Sequence, residues 1–361
     1  MGTTPSFISS ELREVIVKKT FLAAVLVQQK QPLELIEIEW NCELAPGQVL
    51  VKLLRSGICG SQLGEIDGVK GADKFLPHLL GHEGVGHVLA IGPGVTSVSV
   101  DDYVVLHWMR GHGIESATPT YTSEIGIINA GWVTTFNEYA VISENRCNTI
   151  SPQLPDSTDS LLGCAIPTAF GAVENCSNLK LGGKALVCGA GGVGLSLVQA
   201  LLLRGASEIV VIDRYDSRLK LAKAVGASDI RMVADGVYDD LHEDYPGGFD
   251  AVFDSTGKSD VLQHCFMLTN ALGTLVCIGV PEHNDPISLH TLPLHFGKKI
   301  VGVHGGNGDV QQDIPRYKML LDKKLIDAQP LMQKSYPLQA INDAIDDLRR
   351  GLIAGRISID F

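Results

Sequence analysis

A glycine-rich segment in the middle of the chain constrains the possible fold more than any other feature. Residues 189–194 read G-A-G-G-V-G, and they follow the short apolar run 185–188, which predicts a β-strand. Residues 192–204 then place leucine and valine side chains on one face of a predicted helix, which ends near Gly205. A strand, a tight glycine turn and a helix in this order predict a dinucleotide-binding unit. The alternative is a glycine-rich turn in an ordinary α/β core.

The glycines of this segment have separate expected roles. Gly189 permits a tight turn, Gly191 lets the backbone approach a pyrophosphate, and Gly194 lets the helix pack closely on the strand. The free N–H groups at the start of the helix favour phosphate binding. Asp213, at the end of the next predicted strand, can accept hydrogen bonds from ribose hydroxyls and repel a 2′-phosphate, which favours NAD. Arg214 follows directly and opposes that repulsion, so NADP stays the alternative.

The region around the glycine segment alternates between predicted strands and helices. Near-continuous apolar strands separated by helices predict a parallel sheet that is covered on both faces. We expect Ser259 to cap the third helix and Gly273 to follow its end. The predicted strands are 185–188, 209–212, 250–253, 274–280 and 300–303, and the predicted helices are 192–204, 216–225 and 260–272.

The first 160 or so residues have a different character, with short β-type runs broken by glycine and proline. They predict an irregular β-barrel-like domain that opens with a hairpin, because the apolar run 21–27 is followed by the alternating run 33–39. The alternative for 21–27, a short signal peptide, fits that alternation less well. The last 55 or so residues contain two predicted helices and a final strand, and we expect them to rejoin the first domain.

The fold class expected is therefore α/β, with an irregular β-barrel-like catalytic domain and a Rossmann domain built on a doubly wound parallel sheet. The catalytic domain is predicted to span 1–165 and to be completed by 306–361. The NAD-binding Rossmann domain is predicted to span 166–305. The sequence suggests no role for residues 1–19.

Charge and cysteine content exclude several function classes. The chain has 41 acidic and 29 basic residues, a formal net charge of −12, which argues against nucleic acids and anionic membranes as partners. No run approaches the roughly 18 apolar residues of a membrane span. The 8 cysteines lack the tight spacing of a disulfide framework, so we expect reduced thiols and a cytoplasmic location.

Three residues from distant parts of the chain form a candidate metal set. Cys59 lies in G-I-C-G-S, His82 lies in G-H-E-G-V-G-H-V, and Cys164 precedes the glycine segment. Two thiolates and an imidazole suit Zn²⁺, with a fourth position for Glu83, water or substrate. Spacing alone does not establish the site, because isolated cysteines are commonly small apolar core residues.

These motifs, in this order, resemble the medium-chain zinc-dependent alcohol dehydrogenase family over residues 20–361. The resemblance implies a GroES-like catalytic domain and one catalytic zinc ion per chain, bound by Cys59, His82 and Cys164. It also implies that Glu83 binds the zinc or lies just behind it, and that Ser61 begins proton transfer from the substrate.

The resemblance further implies which residues contact NAD(H). Those around the nicotinamide are Thr168, Val193, Ile278 and Val280. The remaining candidates, which come from the glycine segment, the adenosine-ribose site and a phosphate contact, are Gly189, Gly191, Gly192, Gly194, Asp213, Arg214, Arg218 and Arg356.

The chain departs from the family pattern at three places. The segment 107–132 contains no cysteine, whereas many members hold a structural zinc ion there with four cysteines. His107 and His112 in that segment are interpreted as surface or hydrogen-bonded residues. Gln62 replaces the aspartate that in many members orients the zinc-binding histidine, and a neutral amide raises imidazole basicity less than a carboxylate. Gly64 occupies the position where some members place a relay histidine, so the proton path beyond Ser61 is left open.

The function expected from this pattern is a zinc-dependent, NAD-preferring dehydrogenase that interconverts an alcohol and a carbonyl. Gly60 and Gly64 beside Ser61 leave room for a polyol, sugar or cyclitol, with a simple or thiol-adduct alcohol as the alternative. A zinc-free, NADPH-dependent quinone or enone reductase and a non-enzymatic NAD-binding redox sensor are further alternatives. The resemblance also predicts a homo-oligomer, a dimer or tetramer, with an interface near 275–300.

Overall fold

Three β-sheets organise the chain in a computed structural model that describes residues 20–150 and 156–361. Residues 1–19, to which the sequence assigns no role, lie outside the described residues, as does the 151–155 part of the predicted catalytic domain. Every helix in the described ranges is too short or too polar to span a membrane.

The first half of the chain is mainly β-structure with one short helix, as the turn-rich sequence predicts. Its elements are β1 (Thr20–Leu26), β2 (Glu34–Glu39), β3 (Gln48–Gly57), α1 (Gly60–Ile66), β4 (His78–Leu79), β5 (Glu83–Ile91), β6 (Tyr103–His107), β7 (Thr120–Ser123), β8 (Gly126–Asn129), β9 (Tyr139–Ser143) and β10 (Cys147–Thr149).

The second half alternates strands with helices. Its elements are α2 (Ala165–Gly171), β11 (Lys184–Cys188), α3 (Gly192–Leu203), β12 (Glu208–Asp213), α4 (Asp216–Ala224), β13 (Asp229–Met232), α5 (Val237–Asp244), β14 (Phe249–Asp254), α6 (Ser259–Leu268), β15 (Thr269–Cys277), α7 (Leu292–His295), β16 (Lys299–Gly302), α8 (Val310–Asp322), β17 (Met332–Pro337), α9 (Ile341–Arg349) and β18 (Arg356–Asp360). Short turns of 3-10 or π-helix lie at Glu144–Arg146, Asp159–Gly163, Ala172–Cys176, Gly305–Asn307, Gln329–Leu331 and Leu338–Ala340.

The β-rich half forms a barrel and an adjoining open sheet. The predicted hairpin of β1 and β2 is antiparallel, and the barrel closes in the order β1-β2-β7-β8-β4. The open sheet has the order β10-β6-β5-β3-β18-β17, with β9 also paired to β3. The last strand of the chain, β18, pairs antiparallel with the end of β3, so the C-terminal segment returns to this half.

The third sheet is parallel and has the order β13-β12-β11-β14-β15-β16, the strand order of a Rossmann fold. Alternate residues of β11 face different cores, because successive strand residues point to opposite faces. Val187 packs in one core with residues of α3, whereas Leu186 packs in another with residues of α6. The predicted fold class is confirmed.

The helix predicted at 260–272, which is α6 in the structure, differs from the sequence prediction in three details. The helix ends at Leu268, and β15 begins at Thr269, whose hydroxyl donates a hydrogen bond to the Cys265 carbonyl at 2.7 Å. Gly273 lies inside β15, where an added Cβ would lie 2.8 Å from the Phe249 carbonyl oxygen. This glycine therefore allows two strands to approach rather than ending a helix. Ser259 is the first helical residue and not its cap.

Candidate metal centre and cofactor site

The structure brings Cys59, His82 and Cys164 together. Cys59 precedes α1, His82 precedes β5, and Cys164 precedes α2. One ligand atom of each lies within 4.8 Å of the other two. Within residues 20–150 and 156–361, this is the single group of three or more metal-ligating side chains so arranged.

Strand pairing and one close glycine contact explain this convergence. β3 pairs with β5 so that Ser56 lies opposite Gly84, which brings the segment after β3 beside the segment before β5. Gly163 lies against the same strand, since an added Cβ there would lie 2.7 Å from Glu83 Cα and 2.5 Å from the Leu106 carbonyl oxygen. A side chain at position 163 would therefore push Cys164 away from the other two residues.

The three side chains fit a zinc ion. Two sulfurs and one imidazole are a common donor set for catalytic zinc. Gln62 contacts Nδ1 of His82, which leaves Nε2 as the nitrogen free to bind a metal. Nε2 is buried and has no hydrogen-bond partner among the described residues, as expected for an atom whose partner is a cation.

The electrostatic environment favours a thiolate at Cys59. A hydrogen bond from Cys164 holds the pKa of Cys59 well below its usual range, and the Arg356 guanidinium adds to this effect against the cost of burial. The same hydrogen bond and burial hold the pKa of Cys164 well above its usual value. Burial lowers the pKa of His82, but the nearby negative charge at Cys59 outweighs burial and raises it.

Glu83 lies beside the three metal-binding candidates but turns its carboxylate toward Arg356. Its Oε1 is 3.5 Å from a terminal nitrogen of Arg356, and both side chains are buried. Burial raises the pKa of Glu83 to about 7, although the positive charge of Arg356 opposes the shift. Gly57 makes room for this carboxylate, because an added Cβ would lie 2.5 Å from Oε1.

Arg356 lies between the metal-binding candidates and the glycine segment. One of its terminal nitrogens donates to the Ile58 carbonyl at 2.8 Å. An added Cβ on Gly192 would lie 2.1 Å from Arg356 Nε, so the guanidinium packs directly against the start of α3. The residue expected to contact a cofactor phosphate is therefore also the partner of Glu83, a second role that the sequence does not reveal.

Ser61 and His107, which lie near the metal-binding residues, differ in whether their side chains have hydrogen-bond partners. Ser61 Oγ is buried and lacks a hydrogen-bond partner in the described ranges. Of the two glycines expected to leave room for a substrate, Gly60 is exposed and an added Cβ there would meet nothing within 4 Å, whereas an added Cβ on Gly64 would lie 3.7 Å from Val69 Cβ. His107 is buried and bonded to Met109 and Asn148, which agrees with its interpretation as a hydrogen-bonded residue.

Two aromatic side chains extend from the metal-binding group toward solvent. The Trp108 ring lies edge-on to the His82 ring, with 6.4 Å between centroids. The exposed His304 ring lies edge-on to Trp108 at 4.7 Å. His304 follows β16 of the parallel sheet, and no local motif marks it. Its position depends on how the chain returns from that sheet, which the sequence pattern does not show.

The glycine segment has the geometry that its expected roles require. Gly189 has φ of +94°, a left-handed conformation that favours glycine. Gly191 faces open space, with nothing within 4 Å of an added Cβ. At Gly194 an added Cβ would lie 1.8 Å from the Gly189 carbonyl oxygen, so the helix packs on the turn as closely as backbone allows.

Asp213 ends β12 beside this turn. One carboxylate oxygen accepts from the Ala190 amide at 2.7 Å and the other from the Tyr215 amide at 2.9 Å. Arg218 lies 4.0 Å from the carboxylate, and the guanidinium groups of Arg218 and Arg214 each lie 4.9 Å from the Tyr215 ring centroid. Arg218 thus lies beside the carboxylate that is expected to favour NAD, and both arginines lie against the Tyr215 ring.

The residues expected to contact the nicotinamide come from three segments of the chain. Thr168 is in α2, and its amide donates to the Cys164 carbonyl at 3.1 Å. Val193 is in the first turn of α3, and Ile278 and Val280 follow the carboxyl end of β15. Ligands of open α/β sheets bind at this edge, where the strand order reverses between β11 and β14.

Comparison with known proteins agrees with this geometry. A family profile described as "Alcohol dehydrogenase GroES-like domain" matches residues 45–152, and one described as "Zinc-binding dehydrogenase" matches residues 192–321. "Alcohol dehydrogenase-like 3" of Arabidopsis thaliana is 29% identical, with 92% of this chain and 94% of that protein covered.

Two solved structures share the architecture. Benzyl alcohol dehydrogenase from Acinetobacter calcoaceticus has a TM-score of 0.85 at 28% identity, covering 95% of this chain and 99% of that one. 2R,3R-butanediol dehydrogenase from Bacillus subtilis has a TM-score of 0.77 at 25% identity, covering 94% and 99%.

The fold and the site together define an oxidoreductase of the zinc- and dinucleotide-dependent class. The chain belongs to the medium-chain zinc-dependent alcohol dehydrogenase family, and its activity is of the alcohol dehydrogenase type. The cofactors predicted from the sequence, zinc and NAD(H), agree with that membership.

Proposed function

We propose that this chain is a zinc-dependent, NAD-preferring dehydrogenase that interconverts a hydroxyl of a polyol, sugar or cyclitol and the corresponding carbonyl. The observation that carries the reaction is the convergence of Cys59, His82 and Cys164 beside a glycine turn of dinucleotide-binding geometry. The domain boundaries given above and the individual site residues are part of this proposal.

Each residue of the site has a task in this proposal. Cys59, His82 and Cys164 hold the zinc ion, and the buried hydroxyl of Ser61 accepts the substrate proton and passes it outward. When bound, zinc supplies Lewis-acid polarisation of the substrate oxygen, and NAD⁺ supplies the hydride acceptor. Glu83 and Arg356 form a buried ion pair behind the zinc ligands, which fixes the guanidinium against the start of α3.

Three observations support a polyhydroxylated substrate. Gly60, the residue before Ser61, is exposed and an added Cβ there would meet nothing within 4 Å, which leaves room for a substrate with several substituents. The exposed His304 imidazole offers a hydrogen-bonding group near the mouth of the site. A structural neighbour, by its name, acts on a diol.

A simple alcohol is the second candidate, because Trp108 forms an apolar wall next to His82 and another structural neighbour, by its name, acts on benzyl alcohol. The two candidate substrate classes differ in whether they need the open space at Gly60. Filling the space with the Gly60→Val substitution should impair turnover of a branched polyol but leave that of a small primary alcohol nearly unchanged.

A substrate screen on zinc-loaded protein tests the proposal. NADH formation is measured with cyclitols, linear polyols, sugars, benzyl alcohol, short alcohols and a hydroxymethyl thiol adduct, for the wild type and Gly60→Val. We expect the highest kcat/KM with a polyhydroxylated substrate and a selective loss in the variant. Turnover of only simple or thiol-adduct alcohols would reject the polyol assignment. Full NADPH-dependent reduction of quinones or enones by zinc-free protein would favour the reductase alternative, and NAD binding without turnover would favour the sensor.

A homo-oligomer, a dimer or tetramer, remains part of the proposal. Large apolar side chains around the outer edge of the parallel sheet are exposed, which supports an interface there. Leu272 is 77% exposed, Phe296 is 69% exposed and Leu292 is 52% exposed.

A further inference from the structure

His304 presents an exposed imidazole beside the metal-binding group, on a loop whose backbone is held from several sides. We propose that His304 is a specificity-determining residue, whose imidazole forms a hydrogen bond with a second hydroxyl of the substrate, away from the reacting carbon. It thereby selects polyhydroxylated substrates over simple alcohols. This inference rests on the proposed function and assigns its substrate preference to one side chain.

Hydrogen bonds fix the backbone around His304. Its amide donates to Oδ1 of Asn307 at 2.9 Å, and Asn307 itself is left-handed, with φ of +53°. The carbonyl of Gly306 accepts from Nδ2 of Asn175 at 2.9 Å, which ties the loop to the turn that follows α2. A side chain on a backbone fixed in this way loses little freedom when it binds a ligand.

The same loop packs closely against the segment that carries Trp108. Gly305 has φ of +59°, a left-handed conformation that favours glycine. An added Cβ on Gly305 would collide with Sδ of Met109, the residue after Trp108. This close packing keeps the His304 ring edge-on to the Trp108 ring, with 4.7 Å between centroids.

The ring nitrogens of His304 have no hydrogen-bond or ion-pair partner in the part of the chain that the structure describes. His107, in contrast, uses both ring nitrogens, one with the Met109 carbonyl and one with Oδ1 of Asn148. An imidazole has at least one N–H donor in either protonation state, and a hydroxyl both donates and accepts. His304 is therefore able to bind a hydroxyl without giving up a contact within the protein.

His304 lies within reach of a substrate whose reacting hydroxyl is beside His82. Centroid distances of 6.4 Å from His82 to Trp108 and 4.7 Å from Trp108 to His304 set an upper limit of about 11 Å between the two histidine rings. A substrate that extends from one to the other passes the aromatic ring of Trp108 and then meets a hydrogen-bonding group. A hydroxyl at that point replaces the water on the imidazole, whereas a hydrocarbon group displaces the water without replacing its hydrogen bond, which costs affinity.

Cyclohexanol and the 1,2-, 1,3- and 1,4-cyclohexanediols test this role, because they share one ring and differ in whether and where a second hydroxyl is present. The zinc-loaded, full-length wild type, His304→Phe and His304→Gln are compared. The phenylalanine keeps an aromatic ring next to Trp108 without a hydrogen-bonding group, and the glutamine keeps a hydrogen-bonding group without the ring. Two quantities are measured: kcat/KM with NAD⁺, and the dissociation constant of each alcohol from the NADH-bound protein by calorimetry. The readout is the ratio of diol to cyclohexanol, because general damage to the site impairs both alcohols alike.

We expect the wild type to favour at least one diol over cyclohexanol by about tenfold in both measurements. This ratio should fall to near one in His304→Phe and be kept at least in part in His304→Gln. A wild-type ratio that persists in His304→Phe, or is lost equally in both variants, would overturn the role of His304 and leave the polyol assignment standing. A ratio near one for every diol in the wild type would instead reject the polyol assignment, and the role of His304 with it.

Discussion

Alanine substitutions at two neighbouring glycines should separate the packing role of the glycine segment from its cofactor role. Gly194 lies against the Gly189 carbonyl, whereas Gly191 faces open space. We expect Gly194→Ala to lose stability and cofactor binding together, and Gly191→Ala to lose cofactor binding alone. The pair is matched because both substitutions add the same methyl group within one turn of chain.

The magnitudes follow from the distances. In Gly194→Ala the new Cβ starts 1.8 Å from a backbone oxygen, so α3 must move by roughly 1.5 Å to restore ordinary contact. Overpacking against backbone that does not yield should lower the free energy of unfolding by about 3 kcal/mol, the upper end of the usual range. Gly191 has φ of −77° and ψ of −170°, which alanine adopts without strain. Gly191→Ala should therefore keep the wild-type stability or gain up to about 1 kcal/mol.

Thermal unfolding and NADH fluorescence titration measure the two effects on the same samples. Gly194→Ala should lower the Tm by about 5 °C or more. Gly191→Ala should keep the Tm but weaken NADH binding by about tenfold or more, because its methyl group occupies the space expected for the pyrophosphate. Wild-type NADH affinity in Gly191→Ala would refute the cofactor assignment of that open face, and an unchanged Tm in Gly194→Ala would refute the packing argument.

Three further substitutions test separate parts of the molecule. Asp213→Ser should weaken discrimination against NADP by about tenfold or more, because a charge that repels the 2′-phosphate is lost; an unchanged ratio of kcat/KM values would contradict this role. Burial lowers the pKa of His107 to about 4, so neutral His107 contributes stability above pH 6.5 that is lost as the pH falls toward 4. In urea unfolding, the free energy of unfolding of the wild type should fall by up to about 3 kcal/mol over that interval. His107→Gln should not show this pH-dependent loss. Phe296→Asp should shift an oligomer toward monomers in sedimentation, and an unchanged state would exclude this residue from the interface.

Local sequence signals predicted every strand of the parallel sheet except the edge strand β13, and every helix between its strands except α5 and the short α7. The glycine segment, the apolar strands and the acid at the end of β12 each depend on residues close together in the chain, and the structure has the corresponding strands and helices. The error at the end of α6 arose because Gly273 satisfies a contact between strands, with the Phe249 carbonyl, and not a helix terminus. A glycine in the sequence does not by itself indicate whether it ends a helix or allows two strands to approach closely.

Site details were less predictable, because they depend on contacts between distant segments. The family resemblance implied that Cys59, His82 and Cys164 form a zinc site, but their spacing in the sequence alone could not. The pairing of β3 with β5 explains how Cys59 and His82 come close together. The partnership of Arg356 with Glu83 and the position of His304 next to Trp108 have no local sequence signal. Each requires knowing where the chain goes after it leaves the parallel sheet.

The most direct test of the metal site is X-ray absorption at the zinc edge of the zinc-loaded, full-length protein. Two sulfur scatterers at about 2.3 Å and one imidazole nitrogen at about 2.0–2.1 Å are expected, with the remaining position taken by a light atom. In Cys164→Ala, one sulfur scatterer or the bound zinc itself should be lost. A first shell of nitrogen and oxygen alone, or one of four sulfurs, would contradict the assignment of Cys59, His82 and Cys164.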